Sequence, residues 1–369
     1  MIKRYPRFIY IPNRNIVNGN MTIEYEIENG RILSPLPNYD YEKINDSCEF
    51  EKRNWVKNIP FVSRLSFVEN YTCEELYSSA IEELLKVEIP EISKYLRVMM
   101  LELSRIRGFF LYIFNISSAL EFEMPREWAL SDINRISKII SEINNNEYFS
   151  PYIIPGGIKT QFSSTNISVI TEYLEYLKKR MKDYDKIIFQ NEIFRLRTQN
   201  VGVIPRQMIE EYGVTGFIAR SANVTFDIRK RIPYEIYKSI HFDSFRYEHS
   251  DIYTRVICRR NEISNSIQIL DYIFSNIPVE SSTLNKDIYQ SKARVLGEGT
   301  VIKRIEGING EFILFLESVN DEVPKTIKFR SPMFVIGGEL LKKLLENTSL
   351  DDLDLVLASL SLVPMEMDI

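Results

Sequence analysis

Apolar and polar positions alternate at both ends of the chain. In residues 21–33 three apolar side chains are separated by Thr or Glu, which is the two-residue period of a half-buried strand: Ile23, Tyr25 and Ile27. Asn29-Gly30 then gives the signal of a tight hairpin turn. A second alternation covers residues 300–327 around Asn309-Gly310. We therefore predict a small antiparallel sheet near each end.

Between these regions the apolar positions recur every three or four residues, which predicts amphipathic helices. The first helix runs from about residue 73 and ends at Ile89-Pro90, because the residue before a proline disfavours the helical conformation. A second helix opens at Pro90-Glu91, and Pro155-Gly156-Gly157 marks a loop. Further helical patterns cover 126–146, 165–189, 205–212, 252–276, 338–346 and 350–360.

These elements predict an α+β fold, with a central bundle of long helices between smaller β-containing regions. We divide the chain into an N-terminal β-hairpin module (1–70), a central helical bundle (71–280) and a C-terminal region of a β-hairpin and closing helices (281–369).

The composition of the chain argues against several classes of function. Hydrophobic residues make up 44% of the chain and charged residues 26%, as in ordinary globular proteins. The net charge of −5 gives no reason to expect a nucleic-acid partner. The most apolar region, 98–122, is interrupted by charged residues, so we expect no transmembrane span. The three cysteines are far apart and form no C-x-x-C pair, so no thiolate metal site is predicted.

Charged residues inside apolar helices are the most informative chemical feature. Glu102 and Arg105 are three positions apart and share a helix face. Arg97 precedes them on the same helix, and Glu121 closes the apolar run. The pattern leaves two interpretations open. These groups form either a structural ion pair that faces solvent, or a buried relay that carries protonation changes from a redox site.

A series of motifs follows in the order typical of one known family: Glu88-Ile89-Pro90, Leu101 to Ile106, Pro155-Gly156-Gly157, Tyr212 to Gly216, Asp227 to Lys230, and Arg330 to Phe334. With these motifs the chain resembles the quinone-site subunit of respiratory complex I (NADH-quinone oxidoreductase). That family is part of the nickel–iron hydrogenase large-subunit superfamily, so the resemblance implies a hydrogenase-like fold.

The resemblance also has implications for cofactors. Nickel–iron hydrogenases hold their metal with two C-x-x-C pairs, whereas this chain has Met365-Glu366-Met367-Asp368 in its tail. We therefore expect no nickel–iron centre and no other metal. Quinone is expected as the substrate, and an iron–sulfur cluster is expected only on a partner subunit, because this chain has no ligands for one.

The family's site residues can be transferred by position. Its quinone-binding tyrosine falls on Tyr77, counted back from Pro90, and a phenol is a suitable donor to a quinone carbonyl. On periodicity alone, Tyr77 would more often be a core residue. Asn18 stands where the family has histidine, and it cannot deliver a proton near neutral pH. The resemblance further implies a cavity and charged relay of Glu121, Glu102, Arg105, Arg97, Asp227, Arg229 and Lys230.

The resemblance thus implies an oxidoreductase subunit that is active only within a complex, with NADH or ferredoxin as the electron donor. Its expected partners are an iron–sulfur subunit, other peripheral-arm subunits and a membrane-arm subunit. The expected location is peripheral, at the cytoplasmic face of the cell membrane. Two alternatives remain open at this point: a degenerate structural paralogue without redox activity, and a subunit of a related, ferredoxin-linked membrane complex.

Overall fold

The computed structural model describes residues 6–12, 20–39, 47–145, 150–278, 282–290 and 294–368, and it confirms the predicted α+β class. Within these ranges, eight strands form three antiparallel sheets, in the orders β1-β2-β3, β4-β5 and β6-β7-β8. The strands are β1 (Arg7–Tyr10), β2 (Met21–Glu28), β3 (Arg31–Tyr39), β4 (Ile153–Ile154), β5 (Gly157–Ile158), β6 (Gly299–Glu306), β7 (Glu311–Ser318) and β8 (Thr326–Arg330).

The predicted N-terminal hairpin is confirmed. Asn29 and Gly30 both have positive φ, 51° and 75°, as the two central residues of a type I′ turn require. Met21, Ile23 and Tyr25 on β2 are buried on one face, as the alternation predicts. Strand β1 pairs with β2. It was not predicted, because its four residues, Arg7–Tyr10, do not alternate between polar and apolar side chains.

Helices make up most of the remaining chain. They are α1 (Ser47–Phe50), α2 (Trp55–Val62), α3 (Asn70–Leu85), α4 (Glu91–Ala119), α5 (Glu123–Ile143), α6 (Ser164–Tyr184), α7 (Glu192–Thr198), α8 (Arg206–Tyr212), α9 (Gly216–Ser221), α10 (Ile228–Arg231), α11 (Ile252–Asn276), α12 (Met333–Val335), α13 (Leu341–Leu345) and α14 (Leu353–Ser359).

Helix α4 is the central element of the fold. It begins at Glu91 directly after Pro90, as predicted, and its 29 residues span about 43 Å. Buried residues lie on most of its circumference, because α5, α11, α14 and α3 pack around it. A helix in this position has no solvent face along its middle, and every polar side chain there needs a partner inside the protein.

Helix α3 ends earlier than its sequence pattern suggests. Lys86 adopts a left-handed conformation with φ 54°, and its N–H bonds the carbonyls of Glu82 and Glu83, which closes the last turn. Such a C-cap is more often glycine, so a lysine at this position carries no signal for the end of a helix. Pro90 therefore does not end α3, and of its two predicted roles only the opening of α4 at Glu91 is confirmed.

Two hydrophobic cores organise the described residues. The larger core surrounds α4, α5 and α11 and includes the inner face of the N-terminal sheet. The smaller core joins α2 and α3 to the sheet β6-β7-β8. The division into three domains stays a prediction. Within the described ranges, no helix is both long and apolar enough to cross a membrane.

Candidate functional site

The middle of α4 carries a buried carboxylate, Glu102, with four polar neighbours. Its Oε1 accepts from the Tyr237 hydroxyl at 2.6 Å and from Arg229 Nη1 at 3.3 Å. Its Oε2 accepts from Ser266 Oγ at 2.6 Å and lies 3.4 Å from Arg105 Nε. We call these five residues the Glu102 cluster. The solvent-facing interpretation of Glu102 and Arg105 is wrong, because their exposed fractions are 0% and 2%.

Arg229 connects the cluster to Asp227. The Asp227 carboxylate caps α10 by accepting from the Arg229 backbone N–H, and it also accepts from Arg229 Nε at 3.1 Å and Nη2 at 2.8 Å. This two-pronged pairing is the strong geometry of guanidinium and carboxylate. Burial opposes ionisation of Asp227, but Arg229 and Arg220 outweigh it and hold the pKa of this carboxyl below its ordinary value.

Arg220 extends the network beyond Asp227. Its Nη1 lies 3.7 Å from Asp227 and 2.7 Å from Glu306, and its Nε donates to Glu262 at 2.7 Å. Glu306 also accepts from the Ile228 backbone N–H. A continuous series of buried charges therefore runs from the centre of α4 through α10 and α9 to α11 and β6.

The charge state of Glu102 follows from these neighbours. Burial opposes its ionisation, but Arg105 and Arg229, together with the hydrogen bonds from Ser266 and Tyr237, lower the pKa of the carboxyl below its ordinary value. Glu102 is therefore a carboxylate at neutral pH, and both arginines are cationic.

Arg97, five residues before Glu102 on α4, is the centre of a second group. It pairs with Glu82 through two contacts, Nη2–Oε1 at 2.5 Å and Nη1–Oε2 at 3.1 Å. Nη1 also donates to Glu235 at 3.0 Å and lies 3.5 Å from Glu75. We call Arg97, Glu75, Glu82 and Glu235 the Arg97 cluster. Its three carboxylates line a cleft of about 950 Å³ between α3, the 232–235 segment and β6.

The Pro155–Gly157 loop is fixed against this cluster. Arg97 donates to the carbonyls of Ile154 and Gly157, and Glu82 accepts from the Gly156 N–H at 2.7 Å. Gly157 has φ 147°, and a Cβ there would lie 2.2 Å from the Thr283 carbonyl oxygen. The motif that the sequence marked as a loop thus has a structural reason for its second glycine.

A third polar group lies at the start of α3. Ser66 Oγ donates to Glu366 at 2.5 Å, and Glu69 accepts from Thr72 and from the Asn309 N–H. Burial raises the pKa of both carboxyls, that of Glu366 well above its ordinary value. A cavity of about 280 Å³ beside them is lined by Ser66, Arg107 and other polar residues.

Tyr77 lies in the smaller core with an exposed fraction of 1%. Its hydroxyl donates to the Trp55 carbonyl at 2.8 Å, and burial raises its pKa. Tyr77 lines neither the cleft beside the Arg97 cluster nor the cavity beside Ser66. Asn18 lies outside the described residues. The quinone contacts of Tyr77 and Asn18 therefore stay predictions.

The structure brings only part of the predicted relay together. Glu102, Arg105, Asp227 and Arg229 form one connected group, whereas Arg97 belongs to the separate cluster on the same helix. Glu121 lies in the exposed turn after α4, about 28 Å along the helix axis from Glu102. The structure does not bring it to the other charges.

Lys230 lies at the rim of the network. Its Nζ donates to the Phe242 carbonyl at 2.6 Å and to Ser244 Oγ at 2.7 Å. Its backbone N–H donates to the Asp227 carbonyl at 3.1 Å, so the ammonium group lies near the network without pairing with the Asp227 carboxylate. Partial burial lowers the pKa of this ammonium group.

Sequence reasoning missed several members of these groups: Glu75, Glu82, Glu235, Tyr237, Arg220, Glu262, Ser266 and Glu306. Glu75 and Glu82 carried a usable signal, because charges seven positions apart share one face of α3. The other residues come from separate elements, and only the tertiary fold brings them to α4.

The described residues contain no group of three or more His, Cys, Asp or Glu arranged to hold an ion. Cys73 and Cys258 are both free and buried. Burial raises the pKa of both thiols. They are therefore protonated at neutral pH and are poor ligands in that state.

The protein is of the α+β class, with the long helix α4 at its centre, buried ion-pair clusters along this helix and small sheets around it. Comparison with known proteins identifies the family. Residues 124–369 match the family model described as "Respiratory-chain NADH dehydrogenase, 49 Kd subunit". The chain belongs to this family, and the resemblance found in the sequence is confirmed.

Individual relatives agree over nearly the whole length. An NADH-quinone oxidoreductase subunit of Thermosipho melanesiensis is 28% identical, with 98% of this chain and 99% of that protein covered. The corresponding protein of Geobacillus kaustophilus is also 28% identical, with 97% and 96% covered. Among solved structures, a chain of the archaeal membrane-bound sulfane sulfur reductase matches with a TM-score of 0.93 at 24% identity, with 100% of both chains covered, which supports the fold.

Proposed function

We propose that this chain is a subunit of a complex I-like membrane oxidoreductase. It forms a wall of the quinone-reduction cavity and relays the energy of the redox reaction to a membrane arm. Family membership supports this function, as do the names of the relatives, which are NADH-quinone oxidoreductase subunits.

The proposed relay is supported by one observation, the buried charge network of Glu102, Arg229, Asp227 and Arg220. Buried ion pairs contribute little net stability, because desolvation of both partners offsets their attraction. Apolar side chains of similar volume would stabilise the same positions as well. A series of charges along the middle of the fold is therefore better explained by function, since a change of charge at one end alters each pair in turn.

The remaining components belong to partner chains. Electrons reach the quinone from an iron–sulfur cluster on a neighbouring subunit, with NADH or ferredoxin as the upstream donor. Other peripheral-arm subunits and a membrane-arm subunit complete the complex at the cytoplasmic face of the membrane, where this chain is bound peripherally. Activity requires the assembled complex.

Tyr77 and Asn18 are the proposed head-group contacts. In the quinone-bound state the Tyr77 hydroxyl transfers its hydrogen bond from the Trp55 carbonyl to a quinone carbonyl, which gains negative charge on reduction. Asn18 assists as a second donor. This step requires α2 to move away from the phenol when quinone binds.

The test uses the purified, assembled complex. We expect Glu102→Gln, which keeps the shape of the side chain and removes its charge, to lower quinone-coupled ion translocation at least tenfold. Glu91→Gln is the matched control, because Glu91 is an exposed carboxylate on the same helix. Wild-type translocation by Glu102→Gln contradicts the relay. A wild-type complex that assembles but reduces no quinone supports the structural paralogue instead.

A further inference from the structure

The Arg97 cluster has an imbalance of charge. Three carboxylates, those of Glu75, Glu82 and Glu235, face one guanidinium, and the side chains of all four residues are at least nine-tenths buried. Two negative charges in excess are costly in a buried site, and the usual solution is that one carboxyl keeps its proton.

Other charges near the cluster do not neutralise it. On β6, Lys303 pairs with Glu83 and Arg304 pairs with Glu311. Lys94 on α4, with 36% of its side chain exposed, pairs with Glu91 at 2.6 Å and attracts Glu235 more weakly than Glu91. The remaining titratable groups at the cleft and around Arg97 are Lys86, Glu88, Tyr234 and Tyr289. Lys86 and Glu88 are exposed and opposite in charge, and the two tyrosines are neutral phenols whose pKa burial raises.

The geometry identifies the carboxyl that keeps the proton. Glu82 accepts hydrogen bonds from Nη1 and Nη2 of Arg97 and from the Gly156 N–H. Glu235 accepts a hydrogen bond from Arg97 Nη1 at 3.0 Å. Glu75 lies farther from Arg97, at 3.5 Å, and neither of its oxygens accepts a hydrogen bond from any described residue. A carboxyl group that donates, instead of accepting, satisfies this position.

We propose that Glu75 and Glu235 share one proton at neutral pH and form a proton-loading site in the wall of the cleft. The proton resides on Glu75 and is donated to Glu235, whose other neighbour is Arg97. Burial raises the pKa of Glu75 well above its ordinary value, Arg97 counteracts this shift and Glu235 reinforces it. The cleft of about 950 Å³ gives the pair a route for proton exchange.

A short segment connects this pair to the Glu102 cluster. Glu235 has a left-handed backbone with φ 47°, which is strained for a residue with a side chain. Tyr237, two positions later, donates to Glu102. The rings of Tyr234 and Tyr237 are in contact, with centroids 4.8 Å apart. Loss of the shared proton removes the hydrogen bond from Glu75 to Glu235 and leaves two carboxylates that repel each other beside Arg97. The segment transmits this change at Glu235 to Glu102. This coupling rests on the proposed function; the shared proton does not.

The test is infrared spectroscopy of the intact complex at pH 7, in H₂O and in D₂O. A protonated carboxyl group gives a carbonyl stretching band whose frequency shifts in D₂O, whereas an ionised carboxylate gives no such band. The difference spectrum between wild type and Glu75→Gln should contain the band of one protonated carboxyl. Glu235→Gln should lose the same band, because Glu75 then ionises against Arg97. Glu88→Gln, an exposed carboxylate in the same cleft, should leave the band unchanged.

Each outcome decides the proposal. An unchanged band in Glu75→Gln or in Glu235→Gln overturns it. If Glu75→Gln fails to assemble, Glu235→Gln alone decides in the same way. The band does not depend on turnover. Its loss in both variants of a complex that reduces no quinone therefore supports the proton site and rejects the proposed function. In an active complex, Glu75→Gln should also alter the pH profile of quinone reduction, whereas Glu88→Gln should not.

Discussion

The hydroxyl of Tyr237 donates to Glu102 at 2.6 Å across 135 positions of sequence, and both side chains are buried. This single hydrogen bond joins the segment after α10 to the centre of α4. Burial raises the pKa of the phenol well above its ordinary value, and Glu102 raises it further, so the phenol is the donor at neutral pH.

Removal of this bond should destabilise the protein. We expect Tyr237→Phe to lower the free energy of unfolding by about 2 kcal/mol, because a buried hydrogen bond to a charged group is stronger than one between neutral groups. Denaturant-induced unfolding of the purified protein measures the change. Tyr253→Phe is the control. Its hydroxyl contact to the Phe189 carbonyl is long, at 3.4 Å, and its loss should cost under about 0.5 kcal/mol.

Tyr77→Phe should have two separate effects. The Trp55 carbonyl loses its buried donor, which we expect to cost about 1 kcal/mol of stability. Within the proposed function, the quinone also loses its donor, and turnover with quinone should fall at least tenfold in the assembled complex. Lower stability with unchanged turnover and unchanged KM for quinone would assign Tyr77 to the core alone.

Arg97→Lys should be strongly destabilising although the charge is kept. Lysine cannot reproduce the two-pronged pairing with Glu82 or reach both loop carbonyls at once. We expect a loss of about 3 kcal/mol, as for a broken buried ion pair. Arg126→Lys, at an exposed pair with Glu127, should change stability by under about 0.5 kcal/mol in the same assay. Equal effects of the two substitutions would show that the fork geometry does not matter.

Glu74 should make stability depend on pH. Burial raises the pKa of its carboxyl from 4.5 to about 8, so the folded state holds a proton that the unfolded chain releases above pH 4.5. The contribution of Glu74 is therefore fully present at low pH. It is lost as pH rises toward 8, by about 1.4 kcal/mol per pH unit.

Glu74→Gln should remove this part of the slope, because the amide oxygen still accepts from the N–H groups of Tyr152 and Ile153. Unfolding free energies between pH 5 and pH 8 measure the difference. Glu83→Gln, at an exposed position of α3, should keep the wild-type slope. A Glu74→Gln slope equal to that of the wild type would mean that Glu74 is ionised in the folded protein.

Gly157→Ala should be among the most damaging single substitutions. The new Cβ meets the Thr283 carbonyl oxygen at 2.2 Å, and a backbone oxygen cannot move away cheaply. We expect a loss of more than about 3 kcal/mol, seen as a large drop in the denaturation midpoint. Gly213→Ala is the control. It also has positive φ, 68°, but its Cβ meets open space, so only the backbone penalty of about 1 kcal/mol should remain.

Periodicity predicted the long elements and the two hairpins, because a repeated pattern over many residues outweighs local exceptions. It did not find α7, α9 or α10, and of these α9 and α10, with six and four residues, are too short to repeat a helical period twice. Resemblance identified Glu102, Asp227 and Arg229, but it gave no role to Tyr237 or Ser266, which also contact Glu102. Whether Glu102 is buried depends on the helices packed against α4. Because buried residues lie on most of the circumference of α4, the sequence pattern does not single out one buried face. The pairing of Glu75 with Glu235 joins elements 160 positions apart and leaves no trace in local sequence.

The hydrogen bond between Ser66 and Glu366 has an implication for biogenesis. These residues are 300 positions apart, so the bond closes one of the largest loops in the fold and forms only after the ribosome has made the residues between them. Met365, next to Glu366, lines the cavity of about 280 Å³ beside Ser66. The lining of that cavity is therefore complete only after residues 365 and 366 have been synthesised and have packed against Ser66. An assembly step that depends on the shape of the cavity would then accept only chains that have folded through this segment.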